Sequence, residues 1–267
     1  MGIDAVAPCT GPFQPPTRQS ALSSPGQEAG GTLSDDGLEL YFGSDRAGGA
    51  GGADLYAATR ASKQVPFGAP ARIVELATSM SEDDPFIDPD GLTLWFNAGG
   101  NIVRATRATR TSAWDPPTVV VELMTDAVDE APGFTSDGLT VYFDSNRPPN
   151  LGFVDLWSAT RPTRTSPFAS LRHELVASSN SFDCCPHVLP GDTQVAFTTQ
   201  RGGGTKVYAA DRLPDGSLGA AAPYPLVNTS ALDFDIFSTP DGTTVGVSSD
   251  RLVMGDADLW LYERSCP

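Results

Sequence analysis

The chain has 267 residues, with 33 acids against 17 bases and a net charge of −16. That balance argues against nucleic acid and anionic membranes as partners. No apolar run approaches about eighteen residues, so nothing reads as a membrane-spanning helix. The surplus acid reads first as a solubilising surface, and it also suits cations or basic partners.

The opening stretch, MGIDAVAPC, lacks the charged and apolar regions of a signal peptide and reads as the start of a mature chain. Residues 1–8 are expected to be a tail, and residues 9–267 a single domain. The 27 glycines and 23 prolines fit a turn-rich β architecture of that size.

From Glu28 onward the sequence repeats about five times. The clearest copies are SDDGLELYFGSDR from Ser34, TSDGLTVYFDSNR from Thr135 and TPDGTTVGVSSDR from Thr239. Asp-Gly predicts a tight turn, because glycine takes the positive φ such turns need. The apolar run after it predicts a buried strand. A Ser-x-Arg loop follows, then a second strand such as DLYAATR from Asp54 or DLWLYER from Asp258. Each copy of that strand ends on arginine: Arg60, Arg107, Arg161, Arg212 and Arg264. A bulky apolar residue comes seven positions later in the first three copies (Phe67, Trp114, Phe168) and six later, as Leu218, in the fourth. A fourth strand is expected through segments such as RIVELA and VVVELM. Fifteen residues after the bulky residue stands an acid: Glu82, Asp129, Asp183 and Asp233. Four strands in roughly fifty residues is the period of a propeller blade.

The fifth copy stops before its bulky residue and fourth strand. Phe13 and Glu28 supply the missing residues at the same fifteen-residue spacing. The expected fold is therefore all-β, a five-bladed propeller of four-stranded antiparallel blades, closed by an N-terminal strand in the last blade. Closure removes the open sheet edge. It also brings Cys9 beside Cys266, where a disulfide is expected, and a bridge implies an oxidising compartment, periplasmic or extracellular.

The Asp-Gly turn, the strand, Ser-Asp-Arg and Asp-Leu-Tyr together resemble the PD40 repeat of TolB-like β-propellers. The fourth copy departs, with Pro190-Gly191-Asp192 at the turn and Lys206 in place of the strand's aspartate. The second copy has a short Ala98-Gly99-Gly100 loop and no Ser-x-Arg arginine. The resemblance implies a protein-interaction module of the periplasm. TolB itself has six blades and a separate α/β domain, for which this chain has no room.

In a propeller, the loop before the inner strand and the loop between the second and third strands open on one face. The acids Glu28, Glu82, Asp129, Asp183 and Asp233 are therefore expected near the channel mouth, with Arg46, Arg147, Arg201 and Arg251 on the same face. The plainer reading of this acid–arginine repetition is ion pairing or capping of backbone N–H groups in each blade. The sharper reading is a cation site, Ca²⁺ or Mg²⁺, for which the unrepeated acids Asp83, Asp84, Glu130 and Asp235 are the better candidates. Cys184-Cys185 has three readings: a vicinal disulfide, which is favoured, two buried thiols, or a transition-metal site with His187. His173 is expected to be an ordinary surface residue.

No nucleophile elbow, phosphate loop or zinc-protease motif is present in the sequence. Trp95, Trp157 and Trp260 occupy repeated strand positions and read as packing rather than sugar platforms. The expectation is an exported binding or scaffold propeller without intrinsic catalysis, monomeric, with a protein or peptide partner. Two alternatives stay open: a carboxylate-based or cation-dependent hydrolase acting on a glycan, as in five-bladed glycosidases, and a purely structural module.

Overall fold

The computed structural model describes residues 9–266, so the expected tail at 1–8 lies outside them. Twenty strands and no helix are present among the described residues. Strand β1 (Thr17–Arg18) precedes four blades that are continuous in sequence. Blade 1 is β2 (Glu28–Leu33), β3 (Glu39–Ser44), β4 (Asp54–Thr59) and β5 (Ala71–Arg72). Blade 2 is β6 (Glu82–Ile87), β7 (Thr93–Ala98), β8 (Ile102–Thr106) and β9 (Thr118–Val119). Blade 3 is β10 (Asp129–Phe134), β11 (Thr140–Ser145), β12 (Asp155–Thr160) and β13 (Ala169–His173). Blade 4 is β14 (Asp183–Val188), β15 (Gln194–Thr199), β16 (Lys206–Asp211) and β17 (Ala222–Pro223). Blade 5 is β18 (Asp233–Ser238), β19 (Thr244–Val253) and β20 (Asp256–Glu263), completed by β1.

Every blade is antiparallel, with its first strand innermost, and β18 packs on β2 to close the ring. The two ends of the chain are joined as the repeat predicts. Thr17 faces Leu261 and Arg18 faces Trp260. Arg18 grips Asp258 with two hydrogen bonds of 2.7 and 2.8 Å. Cys9 is disulfide-bonded to Cys266.

The repeated arginine at the end of the third strand has a double task. Its Nε donates to the turn glycine's carbonyl, as Arg60 does to Gly37 and Arg161 to Gly138, both at 2.8 Å. Its guanidinium lies over the bulky residue: Arg107 over Trp114 at 4.3 Å, Arg161 over Phe168 at 4.5 Å, and Arg264 over Phe13 at 4.2 Å. The seven-residue spacing thus encodes a cation–π contact that ties the outer connection to the turn. Blade 4, with its altered turn, sends Arg212 to the Tyr142 hydroxyl instead, at 3.1 Å.

The core is a set of apolar clusters between neighbouring blades. At the closure, Phe237 fills space left by two glycines. A Cβ on Gly31 would meet its ring at 2.4 Å, and one on Gly246 would meet it more closely still.

The outer strands are shorter than expected, two residues in blades 1 and 2. Ile73 and Leu76 turn inward, closed by Leu76 N–H donating to the Ile73 carbonyl, and Val74 is left 64 % exposed. Burying Ile73 and Leu76 on one side requires a turn, which ends the pairing.

Candidate functional site in the central channel

The five repeated acids begin the inner strands, and all are fully buried at 0 % exposure. Asp129 shows the pattern. It accepts from Thr125 N–H at 2.7 Å, from the Thr125 hydroxyl at 2.8 Å and from the Ser145 hydroxyl at 2.6 Å. It is paired with Arg147 at 2.5 Å. Arg147 also donates to the Leu123 carbonyl at 2.6 Å, so the pair fastens the link from the previous blade. Glu28–Arg46, Asp183–Arg201 and Asp233–Arg251 repeat it at 3.0, 2.7 and 2.9 Å. Glu82 has no arginine and is held by Thr78 N–H at 2.9 Å and the Thr78 hydroxyl. Of the two readings of this repetition, the plainer one is found: each acid is buried, caps a backbone N–H and, in four blades, pairs with arginine, instead of opening on the channel mouth.

The tryptophans follow the same logic. Arg147 lies 5.2 Å over Trp157, and Arg251 lies 4.8 Å over Trp260. His173 is not an ordinary surface residue. Its Nε2 meets the buried Asp155 at 2.9 Å and its ring stacks on Trp157 at 4.5 Å. It takes the place that Arg18 holds against Asp258 in blade 5.

Two residues beyond each repeated acid, the inner strand carries a β-bulge. The register shifts in all five blades. The bulged residue has positive φ each time: Gly30 at 61°, Asp84 at 48°, Ala131 at 50°, Cys185 at 57° and Asp235 at 49°. Only the first is glycine, so four side chains are held in a sparsely occupied backbone region. The bulge aims these five positions into the channel, a narrow space of about 40 Å³ that Pro85, Pro186 and His187 line further in. Burial alone pushes the His187 imidazole down to about 4.

Three of these positions bring donor atoms together. Single ligand atoms of Asp84, Cys185 and Asp235 lie within 4.8 Å of one another. A second group, Asp144, Cys184 and Cys185, meets the same limit and shares the Cys185 sulfur. Asp144 is 3 % exposed and accepts the Cys185 N–H at 2.8 Å. Asp83 accepts from Asn97 at 2.5 Å and from Ser81 at 3.1 Å. Glu130 stands next to the bulge in blade 3.

Among the described residues, none of Asp83, Asp84, Glu130, Asp144 and Asp235 has a basic ion-pair partner. Burial, then the neighbouring carboxylates, raise Asp84 well above the usual carboxylate range. Burial does the same to Asp144, although the Cys185 N–H works against it. Glu130 is pushed up to about 7 by burial and by Asp83 and Asp129. Asp235 is raised by burial, partly offset by hydrogen bonds that include the Gly30 N–H.

Cys184 and Cys185 are free thiols, so the favoured vicinal disulfide is corrected. Cys184 lies in the ladder opposite Thr198, whereas Cys185 is the bulged residue turned to the channel. The two sulfurs lie within 4.8 Å of each other, beside Asp144, without being bonded. Burial raises the Cys184 thiol to about 12.

Of the four unrepeated acids expected at a cation site, the structure gathers Asp84 and Asp235 and sets Asp83 and Glu130 beside them. Sequence reasoning missed Asp144; for Cys185 it favoured a vicinal disulfide and kept a transition-metal site with His187 as its third reading. Aligning the copies would have exposed both. The position two after the acid reads Gly30, Asp84, Ala131, Cys185, Asp235, and the one before the residue paired with the acid reads Gly43, Asn97, Asp144, Thr198, Ser248. Neither set repeats.

No family model matches the chain, and no curated protein matches its sequence. Solved structures share its fold. A thermostable family-43 glycoside hydrolase is 10 % identical with a TM-score of 0.60, over 92 % of this chain and 91 % of its own. An alpha-L-arabinofuranosidase from Lactobacillus brevis is 12 % identical with a TM-score of 0.60, over 93 % and 94 %. A putative TolB from Agrobacterium tumefaciens is 16 % identical with a TM-score of 0.53, over 90 % and 79 %. At these identities the likeness is one of fold, and the TolB resemblance of the repeat is present at that level.

Proposed function

We propose that this chain is an exported binding propeller without intrinsic catalysis, whose channel mouth holds a divalent cation and whose surrounding face docks a protein or peptide. One observation carries the reading: Asp83, Asp84, Glu130, Asp144 and Asp235 crowd one end of the channel with no basic side chain paired to any of them. Carboxylates so placed repel one another, and a cation relieves both the repulsion and the cost of burial.

The docking face follows from strand register. Asp129 pairs with Ser145, and Ser145 with Asp155, so the loop at 146–154 rises at the acidic end of the channel. Phe153 on that loop is 76 % exposed. Met254, on the corresponding turn of blade 5, is 92 % exposed. Apolar tips around an acidic centre suit a partner with apolar and basic groups. The Cys9–Cys266 bridge fits an oxidising compartment.

EDTA is expected to lower the melting temperature by several degrees, and a divalent cation to restore it. An unchanged melting temperature, together with no metal in the purified protein, would sink the cation site.

The hydrolase reading has two points in its favour. Glu130 holds its proton up to about pH 7, which suits a general acid, and two fold neighbours are named as a glycoside hydrolase and an arabinofuranosidase. Against it stands the size of the channel, about 40 Å³, where pockets for small organic ligands run to about 300 Å³ and more. Turnover on an arabinoside or other glycan panel, lost in Glu130→Gln, would reverse this preference.

A further inference from the structure

We infer that the cation site is a transition-metal site of the zinc class, in which the Cys185 thiolate joins the Asp84 and Asp235 carboxylates. This rests on the cation reading above and specifies its chemistry.

The three donors come from three different blades at one structural position, the bulge. The other two bulge positions are Gly30 and Ala131, which carry no donor. Gly30 also makes room: a Cβ there would lie 2.6 Å from the Asp84 carboxylate oxygen. Its N–H donates to Asp235 Oδ2 at 3.2 Å, and the Thr198 hydroxyl reaches Asp235 Oδ1 at 3.4 Å. Those second partners fix where the carboxylate points, as partners behind metal ligands do.

The sulfur in the donor set, rather than its spacing, favours a transition-metal ion. A tetrahedral ion with bonds of about 2.0 Å to oxygen and 2.3 Å to sulfur holds its ligands about 3.3–3.8 Å apart. The three donors already lie within 4.8 Å of one another, so modest side-chain rotation closes the set, and a water completes it. Calcium asks for about six to eight oxygen ligands and magnesium for about six in an octahedron. A sulfur in the middle of the set disfavours both.

A second group adjoins the first through the same sulfur. Asp144 and Cys184 are 3 % and 5 % exposed. Both present donor atoms within 4.8 Å of the Cys185 sulfur. The Asp144 carboxylate accepts the Cys185 N–H and has no basic ion-pair partner among the described residues. A buried carboxylate left in that state lacks a positive partner, and an ion on Cys185 supplies one. Binding exchanges the Cys185 thiol proton for the metal and releases it to solvent; no oxidation state changes.

The test uses Co²⁺ as a spectroscopic probe on EDTA-stripped protein whose two free thiols are confirmed reduced. One equivalent of Co²⁺ is expected to give a thiolate-to-cobalt charge-transfer band in the near ultraviolet, which Zn²⁺ abolishes by displacement and millimolar Ca²⁺ does not. Cys185→Ser is expected to lose the band, and Asp235→Asn to weaken Co²⁺ binding more than about tenfold, with the circular dichroism of both variants checked against the parent. If Ca²⁺ or Mg²⁺ binds at one equivalent and Co²⁺ gives no thiolate band, the zinc-class inference fails and the cation reading stands. If equilibrium dialysis finds no binding of any of these ions to the parent protein, both fail. The dialysis and competition arms use the unaltered chain, so a misfolded variant does not rescue either idea.

Discussion

Asp233 and Asp235 stand two residues apart on one strand and meet opposite fates. Asp233 is tied by Thr229, Ser249 and Arg251, in an arrangement that four of the five blades share. Asp235 is turned by the bulge into a channel where its nearest charged neighbours are other acids. What repeats serves the fold, because each blade must be fastened to the last in the same way. What breaks the repeat at a repeated backbone position is free to serve something else.

The sharpest way to break this comparison is to neutralise one acid from each class. Asp129→Asn strips the charge from a buried pair and leaves Arg147 uncompensated, so a loss of about 3–5 kcal/mol is expected by urea denaturation. Asp84→Asn in metal-free protein should cost nothing, or stabilise, because it removes a repelling charge. Equal losses from the two changes would end the distinction.

Glu82 sharpens it within the repeated class. With no arginine to strand, Glu82→Gln should cost about 1–2 kcal/mol, the price of hydrogen bonds from Thr78 alone. A loss as large as that of Asp129→Asn would mean that the arginines are not what makes the other pairs expensive to break.

The smallest expected effect concerns pH. Glu130 in the folded chain holds its proton up to about 7, whereas in the unfolded chain it loses it near the ordinary glutamate value. The folded state therefore binds more protons between roughly pH 4.5 and 7, and stability falls as pH rises through that window. The melting temperature of metal-free protein should be lower at pH 8 than at pH 5, and Glu130→Gln should flatten the slope. No change of slope in that variant would remove Glu130 from the uncompensated set.

The blades, their order and the closure were legible because turn, arginine and bulky residue recur at fixed distances. The Cys9–Cys266 bridge followed from the same arithmetic. The bulge was not legible. Four of its five residues are not glycine, so nothing in the local composition signals a left-handed backbone there, and an unbroken strand places Asp84 and Cys185 on other faces. For the same reason the repeated acids read as channel residues, since the bonds that bury Asp129 come from Thr125 and Ser145 in segments whose approach only the folded blade defines. Asp144 was hidden inside a motif already explained as Ser-x-Arg. His173 was discounted because its partner, Asp155, lies on another strand.

The pairing of Thr17–Arg18 with β20 has a consequence for biosynthesis. Thr17 and Arg18 must wait, unpaired, until β20 has been made, since Arg18 and Asp258 are 240 residues apart. Until then blades 1–4 form an open arc with two exposed edges. Contacts of such long range form slowly, so nascent chains stalled before Asp256 are expected to be the protease-sensitive and self-associating species, and pairing of β1 with β20 to be the moment at which the chain becomes resistant.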